Sequence, residues 1–181
     1  MNRAASLPLM TIAMLWLAVA VPTDDAVAQQ MQQISFKTPV ANPKFTQQHV
    51  IDIGDVSGHQ IRIFEVHRTF LRDPPVINGI KLVEMWIRGL SDYTDMNGPN
   101  TNYVIYVMEN SDKFFVQVAL ETQSFTNPDG TRKNRGNSIG TIMGGTGLFA
   151  AIRGTTRTSI IFDSDDSLTE GQTTIEYTIN R

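Results

Sequence analysis

From residue 50 onward the chain alternates between short apolar runs and turn residues. Residues 50–56 (Val-Ile-Asp-Ile-Gly-Asp-Val) and 60–71 flank Ser57-Gly58, and in the second run Ile61 and Ile63 alternate with Gln60 and Arg62. Strand, tight turn, strand is a hairpin signal. Asp73-Pro74-Pro75 ends the second run, because proline cannot donate to a ladder, and Asn78-Gly79 is a turn pair. Residues 80–92 predict a long strand, with Val83, Met85 and Ile87 on one face and Glu84, Trp86, Arg88 and Leu90 on the other. Residues 96–100 read as a loop. Residues 102–109 are β-branched and aromatic, Asn110-Ser111-Asp112 turns the chain, and 113–125 places Phe114, Val116, Val118 and Leu120 on one face. Asn127-Pro128-Asp129-Gly130 is a strong turn signal. Further strands follow over 131–143, weakened by Gly136 and Gly140, then 155–162 and 173–179. Seven or eight evenly spaced strands with almost no helical period predict an all-β sandwich or closed meander barrel. The one helical turn expected is at 148–152.

The first 48 residues differ in character. Arg3 precedes an apolar run at 7–21, Pro22 breaks it, and Ala26-Val27-Ala28 has small residues at cleavage spacing. This pattern predicts a signal peptide over 1–28. The run is shorter than the roughly 20 residues that span a bilayer, so no stable membrane anchor is expected after cleavage. Residues 29–48 are polar, contain Pro39 and Pro43, and read as an N-terminal arm or an irregular first strand. Residues 49–181 form the expected domain. The sequence contains no cysteine, which excludes disulfides, thiolate catalysis, Cys-based metal sites and lipid attachment through Cys. A secreted or periplasmic protein is the expectation. The net charge of -3 argues against a nucleic-acid partner, and the one basic cluster, Arg132-Lys133-Asn134-Arg135, reads as a solvated loop.

The most specific segment is Gly144-Gly145-Thr146-Gly147-Leu148-Phe149-Ala150-Ala151-Ile152-Arg153-Gly154. It lacks the Lys-Ser/Thr of a phosphate loop and the βαβ setting of a dinucleotide fingerprint. It resembles the glycine-rich signature of the allene oxide cyclase-like and dirigent-like barrel superfamily, roughly Gly-Gly-Thr-Gly-x-Phe-x-x-Ala-x-Gly, with Ile152 where that family usually has a small residue. Residues 155–162 and Thr174-Ile175-Glu176-Tyr177-Thr178-Ile179 look like its closing hairpin, and residues 109–115 like its tight turn before a strand. The resemblance covers about 103–179. It implies an eight-stranded antiparallel up-and-down barrel with an apolar interior. Leu148, Phe149 and Ile152 would then form a short turn plugging one end with two apolar side chains.

A barrel of that size holds side chains or one small ligand. Polar residues on inward faces are therefore the site candidates: Glu84 with Arg88, Gln117 with Glu121, and the hydroxyls of Tyr106 and Tyr177. For Glu84 and Arg88 the two facings are evenly balanced; for Gln117 and Glu121 an outward facing is favoured. Among the histidines, His59 reads as a solvated turn residue, and Glu65–His67, two apart on one strand, as a surface pair rather than an acid–base or metal fragment. Residues 163–170 lack the glycine and spacing of a calcium loop and read as a hairpin tip, and Asp165-Asp166 within them matches a dirigent-like motif only out of place. No metal or cofactor is expected. The functional expectation is an exported barrel binding a small apolar molecule in its lumen, with isomerase- or cyclase-like activity left open. The alternative is a non-catalytic structural or protein-interaction barrel with a filled interior. Homo-oligomerisation stays open.

Overall fold

The computed structural model describes residues 30–38, 45–163 and 168–179. The expected signal peptide, and Asp165 and Asp166 of the expected hairpin tip, lie outside the described residues. The described chain is all-β and antiparallel. Its strands are β1 (Gln32–Lys37), β2 (Phe45–Asp52), β3 (His59–Thr69), β4 (Val76–Ile77), β5 (Ile80–Thr94), β6 (Gly98–Met108), β7 (Lys113–Thr126), β8 (Arg132–Gly145), β9 (Ile152–Asp163) and β10 (Leu168–Ile179). One sheet runs in the order β1-β10-β9-β8-β7-β6-β5-β3-β2, with β4 paired to the start of β5. From β5 to β10 every neighbour is the next strand in sequence, so short turns suffice to connect antiparallel partners.

Several turns follow their residues. Asn78 (φ 51) and Gly79 (φ 79) form the left-handed pair joining β4 to β5, as the Asn-Gly dipeptide predicts. Other boundaries differ from the sequence reading. The expected loop at 96–100 is a two-residue turn in which Asp95 (φ 50) and Met96 (φ 66) are left-handed, and Gly98 already belongs to β6. Asp-Met carries no strong turn signal. Here Asn97 Nδ2 secures the turn, donating to the Thr94 and Asp95 carbonyls at 3.3 and 3.0 Å. The basic cluster expected in a solvated loop opens β8. Its Asn134 is 1% exposed and accepts from Ser124 Oγ at 2.7 Å, while Lys133 pairs with Asp163 at 3.4 Å. The stretch expected as an arm carries β1, six residues paired with β10, and the beginning of β2.

The inner face is set by register and bulges. Phe114, Val116, Val118 and Leu120 of β7 point inward as their alternation predicts. On β5 a bulge between Leu82 and Glu84 re-phases the strand. Leu82 and Met85 are therefore both buried, and Ser91 and Tyr93 continue the inner face. On β3 the phase is opposite to the one the isoleucines suggest. Arg62, Phe64, Val66 and Arg68 line the interior, while Ile63 is 56% exposed on the outer wall.

The glycine-rich run is the corner between β8 and β9. Thr146 N–H donates to the Lys113 carbonyl at 2.8 Å, and Lys113 N–H donates back to Thr146 Oγ1 at 2.9 Å. Gly147 (φ 52) starts a single 3-10 turn, Gly147–Phe149, and a Cβ there would overlap the Asp112 carboxylate, which accepts from Leu148 N–H at 3.0 Å. Glycine is required there on both conformational and steric grounds. The turn drives Phe149 inward against Phe114, with ring centroids 5.8 Å apart, and both Phe149 and Ile152 are fully buried while Leu148 is 61% exposed. Met108, Ile142, Leu82 and Ile77 complete this filled end. We expect Phe149→Ala to cost about 3–5 kcal/mol by loss of buried surface and cavity formation. Leu148→Ala should stay within about 0.5 kcal/mol. Urea unfolding midpoints of the two variants check the contrast.

Candidate functional site

Beyond the filled end, the concave face of the sheet lines a partly open cavity of about 160 Å³. A roughly 150 Å³ apolar cavity accommodates a molecule the size of benzene, so this one is of ligand size. Every strand except β4 and β1 contributes to its wall, and Thr38, which follows β1, contributes there too. The lining is ordered in rows, because facing residues in successive ladders point the same way. One row runs Arg62–Ser91–Asn100–Leu120–Ser138–Thr158–Thr173 and is mostly polar. The next runs Phe64–Gly89–Asn102–Val118–Gly140–Thr156, and the third, beginning Val66–Ile87–Val104–Val116–Ile142, is apolar. Polarity falls over these three rows, but the row that meets the plug, Arg68–Met85–Tyr106–Phe114, carries the Arg68 guanidinium.

Within the polar rows, Asn100 Nδ2 donates to the Tyr93 hydroxyl at 3.1 Å, and that hydroxyl shares a 2.9 Å hydrogen bond with Thr122 Oγ1. This hydrogen bond fixes which end of the Asn100 amide meets Tyr93. Among the described residues Asn100 Oδ1, Asn102 Oδ1 and Ser91 Oγ have no hydrogen-bond partner, although the three residues are 8%, 8% and 1% exposed. Arg68 also lines the cavity, and burial pulls its guanidinium down to about 10, still cationic at neutral pH. Among the described residues the lining contains no Asp, Glu, Lys or His.

The six sequence candidates do not converge. Tyr106 alone lines the cavity, stacked on Phe114 at 4.6 Å, and burial pushes its hydroxyl well above the ordinary tyrosine value, so it stays protonated. Tyr177 is buried but outside the cavity wall. Its hydroxyl donates to Gln32 Oε1 at 2.7 Å and accepts from Asn78 N–H at 3.1 Å, tying β10 to β1 and to the β4–β5 turn. Gln117 and Glu121 are exposed on the outer face of β7. Glu84 and Arg88 are on the outer face of β5, because Met85 and Ile87 take the inner one. There they join cross-strand pairs. Glu84 Oε2 accepts from Trp86 Nε1 at 3.1 Å and contacts His67 Nε2 at 3.2 Å, His67 stacks on Trp86 at 3.9 Å, and Arg88 Nε donates to Glu65 Oε2 at 2.7 Å. The Thr46 hydroxyl, and then Arg88, hold the Glu65 carboxyl below its ordinary value. The hydrogen bonds of Glu65 and His67 therefore reach neighbouring strands, and among the described residues no three metal-ligating side chains converge.

The residues missed from sequence are Ser91, Asn100, Asn102, Arg62 and Arg68. Asn100 stood in an expected loop, and Ser91 carries no signal by itself. The arginines share the β3 face of Phe64 and Val66, and with Ile61 and Ile63 on the other face the alternation alone did not decide which side turns inward.

His59 departs from its expected role as a merely solvated residue. Its Nδ1 lies 2.7 Å from Asp55 Oδ1 and its Nε2 2.7 Å from Asp92 Oδ1, joining the β2–β3 turn to β5. The Asp92 and Asp55 hydrogen bonds raise the His59 pKa above 6.5. A comparison with protein-family models, curated proteins and solved structures finds no match for this chain. No helix among the described residues is long and apolar enough to cross a membrane.

The His59 clamp has a definite pH signature. The folded state holds the proton more tightly than the unfolded chain, so the stabilisation is complete below about pH 6.5 and is lost as pH rises through the raised folded value. Thermal midpoints of the wild type should fall across that window, relative to those of His59→Gln. Parallel curves for the two proteins would show that the aspartates do not hold the proton.

Proposed function

We propose that this protein is an exported β-barrel of the allene oxide cyclase-like or dirigent-like type that holds one small, mainly apolar molecule in its interior. The observation that carries this reading is the ligand-sized cavity, apolar on most of its wall and furnished with a few buried polar atoms, which is the usual make-up of a small-molecule site. The lining includes no carboxylate or imidazole among the described residues, which favours binding or confinement of a substrate over acid–base turnover. Any isomerase- or cyclase-like step would rest on holding one conformation, with the Tyr106 hydroxyl as the one candidate donor that sequence and cavity share. Export, to the periplasm or the exterior, rests on residues 1–28.

Closure into eight staves is part of the proposal. β1 and β2 are consecutive in the chain, run in the same direction, and pair with the two ends of the sheet, β10 and β3. Counted as one stave they give eight, an even number, as antiparallel closure requires. Phe36 of β1 meets Phe70, just beyond β3, with ring centroids 5.8 Å apart. In this cysteine-free chain, Phe36→Cys with Phe70→Cys should be joined within one molecule by a short thiol-to-thiol cross-linker. Failure of the folded double variant to cross-link would remove the closed barrel.

Binding is tested by titrating the purified protein with fatty-acid-like and phenolic compounds. Saturable binding of one molecule per chain is expected, and Leu120→Phe, which fills the cavity, should weaken it by about tenfold. Glu84→Gln on the outer wall should leave it within about twofold. No saturable binding at high micromolar concentration would leave the alternative, a filled barrel with a structural or protein-binding role.

A further inference from the structure

Resting on the interior-binding reading, we infer that Ser91, Asn100 and Asn102 form a hydrogen-bonding subsite for an uncharged ligand that carries a hydroxyl group. Ser91 and Asn100 face each other directly across β5 and β6, and Asn102 follows two residues on, opposite Gly89. The three side chains are thus neighbours on one patch of the inner wall. A Cβ at residue 89 would overlap Asn102 Oδ1 and the Phe64 ring. Glycine there is what admits the Asn102 amide to the interior.

The chemistry of the atoms selects the ligand. An amide oxygen only accepts hydrogen bonds, whereas a serine hydroxyl can donate or accept. Asn100 Oδ1 and Asn102 Oδ1 therefore call for donors, and the Asn100 orientation is set by its own donation to Tyr93. A carboxylate or an ether supplies no donor to these oxygens. An alcohol supplies one, and its oxygen can accept in return from Ser91 Oγ. A cationic ligand is disfavoured by the two arginines and by the absence of carboxylates from the described lining. Buried polar atoms left unpaired destabilise a fold, and removing them together with their polarity is neutral or favourable. A wall that keeps three such atoms side by side has traded stability for recognition, a common feature of binding sites.

The test uses three probes of one shape: cyclohexylmethanol, its methyl ether and cyclohexanecarboxylate, each titrated into the purified protein. The alcohol should bind about tenfold more tightly than the ether or the carboxylate. In Ser91→Ala and Asn102→Leu the alcohol should fall to the affinity of the ether, while the thermal midpoint without ligand stays level or rises. Should Asn102→Leu not fold, Ser91→Ala carries the comparison. Equal binding of alcohol and ether would assign the patch to bound water and overturn the subsite, as would an unchanged preference in Ser91→Ala. Tightest binding of the carboxylate would give the decisive role to the arginines and overturn it too. Those three results leave interior binding intact, whereas no binding of any probe removes that reading along with the subsite.

Discussion

Lys113 and Thr146 are tied together twice, once through backbone and once through the threonine hydroxyl, and the interior depends on that tie. It fixes the point at which β8 leaves the wall, so that the following 3-10 turn delivers Phe149 onto Phe114 and Ile152 beneath it. Substituting a residue with a Cβ at 145 would push into the Lys113 and Phe149 carbonyls. Gly145 and Gly147 are therefore glycines for want of space, and the product of the corner is a solid end to the curled sheet.

With one end solid, the remaining interior is graded. The row through Phe114 meets the plug and carries one cation, Arg68; an apolar row lies next to it, and the row of Arg62, Ser91 and Asn100 lies farthest away. Glycines 89, 136 and 140 stand on the inner face where neighbouring walls approach closely: a Cβ at 140 would meet Thr156, Val116 and Val118. Missing side chains at such points let a sheet curl tightly. They also leave room for Asn102 to turn its amide inward. Curvature, cavity and polar patch thus share one cause, the placement of small residues on β5 and β8.

The outer wall obeys different rules. Glu65, Glu84, His67, Trp86 and Arg88 satisfy one another across β3 and β5. Such partly exposed pairs contribute little stability individually, and their chemistry is turned away from the cavity. The His59 clamp is similar in kind but differs in place, since it holds the β2–β3 turn to the strand that carries Ser91 and Tyr93.

The sequence by itself determined the class of the fold, most of the strands and the corner. Those features depend on neighbours in the chain: Asn78-Gly79 makes its own turn, residues 113–125 alternate cleanly, and 144–154 carries glycines that no other residue can replace. Facing was less accessible wherever both sides of a strand were mixed. On β3 two isoleucines on one side competed with Phe64 and Val66 on the other, and the tertiary structure chose the latter with two arginines beside them. On β5 the bulge at Leu82–Glu84 shifted the phase, so that Leu82 and Met85 are both buried. The patch of Ser91, Asn100 and Asn102 belongs wholly to the tertiary level. Its members are ordinary polar residues until the β5–β6 register sets them side by side and the curl of the wall removes them from water.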